Sequence, residues 1–234
     1  LRIFPGVLGA GVVLGVLARM LRARSVRLLP HERRFAAGAL AALALGVGLT
    51  ALAPGGLATW PEFTERSRIH LGTPLANHVG LVTALSYDAE HRTQLARDPS
   101  LADPMQRWKE ARRARFAERR PWWAGALLVF ALLLARAARG EPLWVAAALG
   151  ATLAPIALEL TGYYWSLLLV LAFLGARRPA CAAALCAFAA AGWGASELWH
   201  WTDQIHVAIS WLGVALALAC VGLLQPGAKD FTPE

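Results

Sequence analysis

The residues best suited to chemistry fall into groups separated by apolar sequence. One polar segment carries Trp60, Phe63, Arg66, Arg68, His70, Asn77 and His78. A second group, Glu159 with Tyr163 and Tyr164, interrupts an otherwise apolar run. A third, Glu197, Trp199, His200, Trp201, Asp203 and His206, lies between the last two apolar stretches. A carboxylate can accept a hydroxyl proton. Guanidinium and imidazolium groups stabilise developing negative charge. The tyrosines and tryptophans also suit an interfacial aromatic belt. Glu159 does not, because a belt needs no carboxylate. A carboxylate at membrane depth is costly and points to function. It calls for a His or Arg partner from the polar segment.

The elements that must position these groups are membrane helices. Of 234 residues, 57% are hydrophobic and only 16% charged, against about 25% charged in a soluble domain. That composition excludes a disordered chain and argues against an ordinary soluble globule. Apolar stretches cover residues 3–20, 35–57, 122–138, 142–160, 162–176, 179–199 and 205–224. Their Ala/Leu-rich runs lack the alternation of barrel strands. The expected fold is an all-α, polytopic transmembrane helix bundle of about seven spans. Its layout is spans one and two in 1–57, an external helical loop over 58–121, spans three to seven over 122–224, and a cytoplasmic tail over 225–234. As one helix, 142–176 would run about 52 Å, too long for a hydrocarbon core of about 30 Å. Two readings stand: two spans meeting in a tight turn near Thr161–Gly162, or a broken or re-entrant helix. Cys181, Cys186 and Cys220 sit in apolar runs and read as small buried residues, with no metal or disulfide framework.

Charge sets the orientation. Arg22, Arg24, Arg27, Arg33 and Arg34 follow the first stretch, Arg136 and Arg139 the third, Arg177 and Arg178 the fifth, and Lys229 lies in the tail. The short turns near Thr161 and Asp203 hold no Lys or Arg. The positive-inside rule makes the basic loops cytoplasmic and places 58–121 outside, as in a bacterial inner membrane. Lys109, Arg112, Arg113, Arg115, Arg119 and Arg120 fall on the external side, but the rule weakens for loops of about 60 residues. Asp103-Pro104 and Pro121 bracket a helix over 105–120 with a thin edge of Trp108 and Phe116. That helix either lies on the membrane with its arginines near lipid phosphates or is solvated on top of the bundle. No aromatic-interleaved basic module suggests nucleic acid. Earlier in the loop, Pro61 starts a helix through His70, Gly72 and Pro74 break it, and Asn77 can cap a second helix carrying Leu81, Val82 and Leu85.

The run 59–87 resembles the large external loop of the polyprenyl-phosphate-dependent glycosyltransferases of the GT-C class, family 87-like mannosyltransferases in particular. The resemblance rests on Trp60 with Phe63, on His70, and on Asn77 followed by Gly80-Leu81. It implies a sugar transferred from a polyprenyl-phosphate donor at the external membrane face, with no cofactor and no metal. It also implies a catalytic Asp in a first external loop, expected upstream of Leu1 because none here can be assigned to it. His70, Asn77, His78, Glu159, Tyr163, Tyr164, Arg66 and Arg68 would then bind substrate. Cationic Arg66, Arg68 or protonated His70 would stabilise the phosphate leaving group. Two other classes are weighed against this: a non-catalytic membrane scaffold or transporter, and a haem or quinone protein using His200 and His206 opposite His70 and His78. No P-loop, GxSxG, HExxH or GxGxxG motif adds a further class.

Single-cysteine labelling at Ser86 and at Arg177 is expected to report opposite sides of the membrane. Labelling of both from one side would reverse the orientation.

Overall fold

The computed structural model describes residues 4–226, without the side chains of Phe4, Pro5, His70 and Leu71. Most of the expected tail, Lys229 included, lies outside the described residues. The fold is an all-α bundle, 76% helical. Five helices are long and apolar enough to cross a membrane: α1 (Phe4–Ala23), α2 (Pro30–Leu52), α5 (Gln106–Ala138), α8 (Pro179–Leu198) and α9 (Thr202–Leu223). The shorter helices are α3 (Thr59–Leu71), α4 (Leu81–Ser86), α6 (Leu143–Gly150) and α7 (Ala154–Ala157).

The chain forms two compact units, 20–73 and 1–19 with 74–234, so the segment 58–121 is divided between them. In the smaller unit, Pro30 opens α2 and Glu32 accepts the Leu29 N–H at 2.7 Å. Proline suits that place because a first-turn N–H would lack a helical partner anyway. A 3₁₀ turn, Gly56–Ala58, leads into α3, where Thr59 Oγ1 donates to the Gly56 carbonyl at 2.8 Å. Trp60 meets Phe63 edge-on at 6.3 Å.

In the larger unit, glycines let helix backbones touch. A Cβ on Gly11 would lie 2.6 Å from the Gly150 nitrogen, and one on Gly150 would lie 2.5 Å from the Val7 carbonyl oxygen. Four residues on, a Cβ at Gly15 would sit 2.9 Å from the Ala138 carbonyl. The spacing Gly11-x-x-x-Gly15 therefore works as a small-residue contact between α1 and its neighbours. Gly6 and Gly9 face open space. Leu134, Val145, Leu149, Leu171, Leu174 and Val221 are fully buried around this seam.

Three expectations change. Pro121 does not end a helix; α5 runs unbroken from Gln106 to Ala138 with Pro121 inside. A helix-interior proline costs about 3 kcal/mol, but contacts on both sides hold α5 together. Phe116 meets Trp123 edge-on at 5.9 Å, Trp123 Nε1 donates to the Ile156 carbonyl at 3.0 Å, and Arg119 donates to the Leu85 carbonyl at 2.7 Å. Asn77 does not cap a helix: α4 begins at Leu81, and Gly80 occupies the cap position with φ 130°. Cys181 and Cys220 are buried, but Cys186 is exposed, because its face of α8 points away from the bundle.

The run 142–176 is divided by an extended segment rather than by a tight turn at Thr161–Gly162 alone. After α7, residues 158–161 are extended, and β2 (Leu160–Thr161) pairs antiparallel with β1 (His78–Val79). A 3₁₀ helix, Gly162–Ala176, follows. Fifteen residues would rise about 22 Å as an α-helix but about 30 Å at a 3₁₀ rise of about 2.0 Å per residue. The tighter winding thus gives a short segment the reach of a hydrocarbon core. Its Trp165 stacks on Phe188 at 5.4 Å and covers Gly213 of α9, where a side chain would overlap the indole.

Gly150→Leu is expected to destabilise the protein by about 1–3 kcal/mol, read as a lower thermal midpoint in detergent micelles. Gly9→Leu, placed in open space, should leave the midpoint unchanged.

Candidate functional site

The site begins with backbone geometry. His78 lies opposite Thr161 and Val79 opposite Leu160, and the Gly162 N–H donates to the Asn77 carbonyl at 3.0 Å. Gly80 makes the approach possible. A side chain there would overlap the Leu158 carbonyl, and its positive φ suits glycine. Its N–H donates to Ser210 Oγ of α9 at 3.0 Å. Residues 77–80 are thereby fastened to the turn that carries Glu159.

Glu159 receives its cationic partner from α5. The Arg112 guanidinium bonds to Glu159 Oε1, to Thr83 Oγ1 at 2.8 Å and to the Leu75 carbonyl at 3.2 Å. Thr83 Oγ1 in turn donates to Glu159 Oε1 at 3.3 Å. His78 Nδ1 lies 3.4 Å from the same oxygen, with its side chain only 3% exposed. Arg112 also lies over the Trp108 ring, 5.2 Å from its centroid. Glu159 sits between α7 and β2, outside the apolar helices. Burial pushes its carboxyl up, but the His78 hydrogen bond and the Arg112 charge outweigh that and hold it below the usual range.

Beside this network lies a small cleft, open to solvent, with about 20 Å³ of accessible volume, room for about one water molecule. Trp108, Arg112, Tyr87, Asp88, His91 and Asp203 line it. Asp203 is 5% exposed. Its Oδ2 accepts the Thr93 N–H at 2.9 Å and its Oδ1 the Gln204 N–H at 3.1 Å. Asp88 accepts the Glu90 N–H at 3.0 Å through Oδ1. Its Oδ2 faces His91 Nδ1 at 2.7 Å and pairs with Arg115. Burial raises the Asp88 carboxyl, but the Glu90 and His91 hydrogen bonds and the Arg115 charge bring it below its ordinary value. Arg92 lies over Trp201 at 5.1 Å, further tying this loop to the start of α9.

No family model, curated protein or solved structure matches this chain. The site is therefore read from its own geometry.

The basic half of α5 packs one face against the loop, while Arg113, Glu118 and Arg120 on its other sides are exposed. Arg112, Arg115 and Arg119, spaced i, i+3, i+7, share one face and donate to the carbonyls of Leu75, Tyr87 and Leu85. Lys109 pairs with Asp103 at 2.7 Å and Arg107 with Asp98 at 2.9 Å. The loop supplies acceptors that an isolated amphipathic helix would have sought in phosphate or water.

Of the expected site residues, His78 and Glu159 meet, and Asn77 joins through its backbone. Tyr163 and Tyr164 follow directly, with ring centroids 4.3 Å apart, and Tyr163 is 65% exposed. Arg66 and Arg68 belong to the smaller unit, where exposed pairs with Glu62 at 2.5 Å and Glu65 at 3.9 Å engage them. His70 is in the same unit, and its side chain lies outside the described residues. From the third group Asp203 joins the cleft, while Glu197 and His200 are exposed. Arg112, Thr83, Tyr87, Asp88 and His91 were not singled out as site residues from sequence. The helical spacing of Trp108, Arg112, Arg115 and Arg119 was the available signal. Among the described residues no group of three or more His, Cys, Asp or Glu could hold a metal ion.

Glu159→Gln leaves the Arg112 charge buried without its counter-ion, a loss of about 3–5 kcal/mol. The folded carboxyl lies below its unfolded value, so its contribution is full above the unfolded pKa and is lost as pH falls through the folded one. Thermal midpoints of wild type and variant should therefore differ most near neutral pH and converge in acid.

Proposed function

We propose that this chain is part of an integral membrane glycosyltransferase that moves a sugar from a polyprenyl-phosphate donor. In this reading the two shorter apolar helices, Leu143–Ala157 and Gly162–Ala176, complete seven spans, and the cleft opens on the external face of a bacterial inner membrane. The observation that carries it is the cleft itself. Fixed carboxylates, an imidazole, a tyrosine and a tryptophan converge against the first turns of α5, around Trp108 and Arg112. Sugars are bound by such groups, whose donors and acceptors match ring hydroxyls and whose aromatic faces cover the C–H surface. The resemblance of the run 59–87 supports the same reaction class. Asn77, His78 and Glu159 then act by holding the cleft wall in place.

The test is transfer activity of the full-length protein in liposomes, with polyprenyl-phosphate sugars offered as donors and nucleotide sugars as the comparison. Transfer from the lipid donor alone is expected. Ala76→Trp, which fills the cleft from its wall, should lower transfer at least about tenfold, equivalent to about 1.4 kcal/mol, without changing insertion. Full activity in that variant would move the reaction elsewhere.

A further inference from the structure

The cleft contains a hydrogen-bonded His–Asp pair that lies outside the Arg112–Glu159 network. His91 Nδ1 is 2.7 Å from Asp88 Oδ2, and both residues line the cleft. That bond places the proton on Nδ1 of the neutral imidazole, leaving the Nε2 lone pair as the acceptor. Asp88 is itself immobilised. Its Oδ2 also pairs with Arg115 of α5, and its Oδ1 takes the Glu90 N–H. The loop bearing His91 is fastened by Thr93 to Asp203 and by Arg92 to Trp201. The imidazole, 57% exposed, is therefore held on a braced loop beside the cleft, while its second nitrogen has no part in the Asp88 bond. Pre-organised orientation of this kind is what general-base catalysis requires. Arg112 is not suited to that work, since a guanidinium has no acceptor and keeps its proton; its donors hold Glu159, Thr83 and Leu75. Asp203 already accepts two backbone N–H bonds.

We infer that His91 Nε2 accepts the proton of the acceptor hydroxyl during sugar transfer in this cleft, with Asp88 and Arg115 as positioning residues. The inference rests on the glycosyl-transfer reading and departs from the expectation that an upstream aspartate is the base. The acceptor oxygen forms a bond to the anomeric carbon. The bond from that carbon to the phosphate oxygen breaks, and the lipid phosphate leaves with the bonding pair. The hydroxyl proton passes to His91, so charge and atoms balance without a further reactant. Asp88 and Arg115 contact the pair directly, and Tyr87, Arg112 and Asp203 are the other ionisable groups lining the same cleft.

The experiment measures transfer from a polyprenyl-phosphate sugar by the full-length protein in liposomes across a range of pH. His91→Ala is expected to lower kcat about 10²-fold or more, with KM within about threefold, and to remove the acidic limb of the pH–kcat profile. Added imidazole should restore part of the rate, which a purely structural role of His91 would not allow. Asp88→Asn should lower kcat with KM retained, because an amide no longer enforces the tautomer. His91→Gln, closer in shape, guards against a folding defect and should behave like His91→Ala. Wild-type transfer with an unchanged rate and acidic limb in the two His91 variants would overturn this role and leave the transferase reading standing. Loss of rate without imidazole rescue, the acidic limb persisting, would also overturn it. Absence of transfer by the wild type from any lipid-phosphate sugar would overturn both.

Discussion

Arg112 and Glu159 are separated by 47 residues of sequence, yet their ion pair joins the polar segment, α5 and the extended turn after α7. Neither charge could remain at its position alone, because a desolvated ion costs several kcal/mol unless its partner and hydrogen bonds are supplied. The supply is local: Thr83 accepts from Arg112 and donates to Glu159, Leu75 offers its carbonyl, and His78 approaches the same carboxylate oxygen. Such a pair does little to raise stability over a well-packed apolar alternative. It constrains register instead. A slip of one residue in the two-residue pairing of β1 with β2 would turn His78 to the opposite face and break the network.

Close backbone approach is the second constraint. In a low-dielectric bundle every backbone polar group needs a partner, and extended segments are tolerated only where another segment pairs with them. The run 158–161 meets that demand through β1, Asn77 and the neighbouring helices. Gly80 admits the Leu158 carbonyl, and Gly11 and Gly150 bring α1 against α6. Small residues at these contacts gain dispersion contacts where the hydrophobic effect gives helices no reason to associate. The 3₁₀ winding of Gly162–Ala176 belongs to the same economy, since it lengthens a short apolar run while Trp165 occupies the space left by Gly213.

The arginine stripe turns these packing constraints into a site. Arg112, Arg115 and Arg119 tie three points of the loop to one helical face. The loop is therefore a braced wall, and the cleft between it and α9 has fixed polar groups. Rigid support matters more to a binding or reacting group than its chemical type alone, because small misplacements forfeit much of the gain.

Composition and local pattern determined the all-α membrane class, the five long spans, the break near Gly162 and the isolation of Glu159 as a carboxylate in need of a cation. These are properties of single segments, set by hydropathy summed over a window and by the cost of burying one charge. Proline and glycine signals made the helix before Gly72 legible, although it starts at Thr59, two residues before the expected Pro61. The tertiary structure decided which cation answers Glu159, that α5 runs through Pro121, and that Asn77 serves a strand edge rather than a helix cap. It also drew Asp88, His91 and Asp203 into one cleft. Each of these depends on pairings across many residues, where several arginines compete for one carboxylate and only packing selects among them. A local rule about proline or asparagine states a preference of about 1–3 kcal/mol, and a handful of distant hydrogen bonds and ring contacts is enough to reverse it.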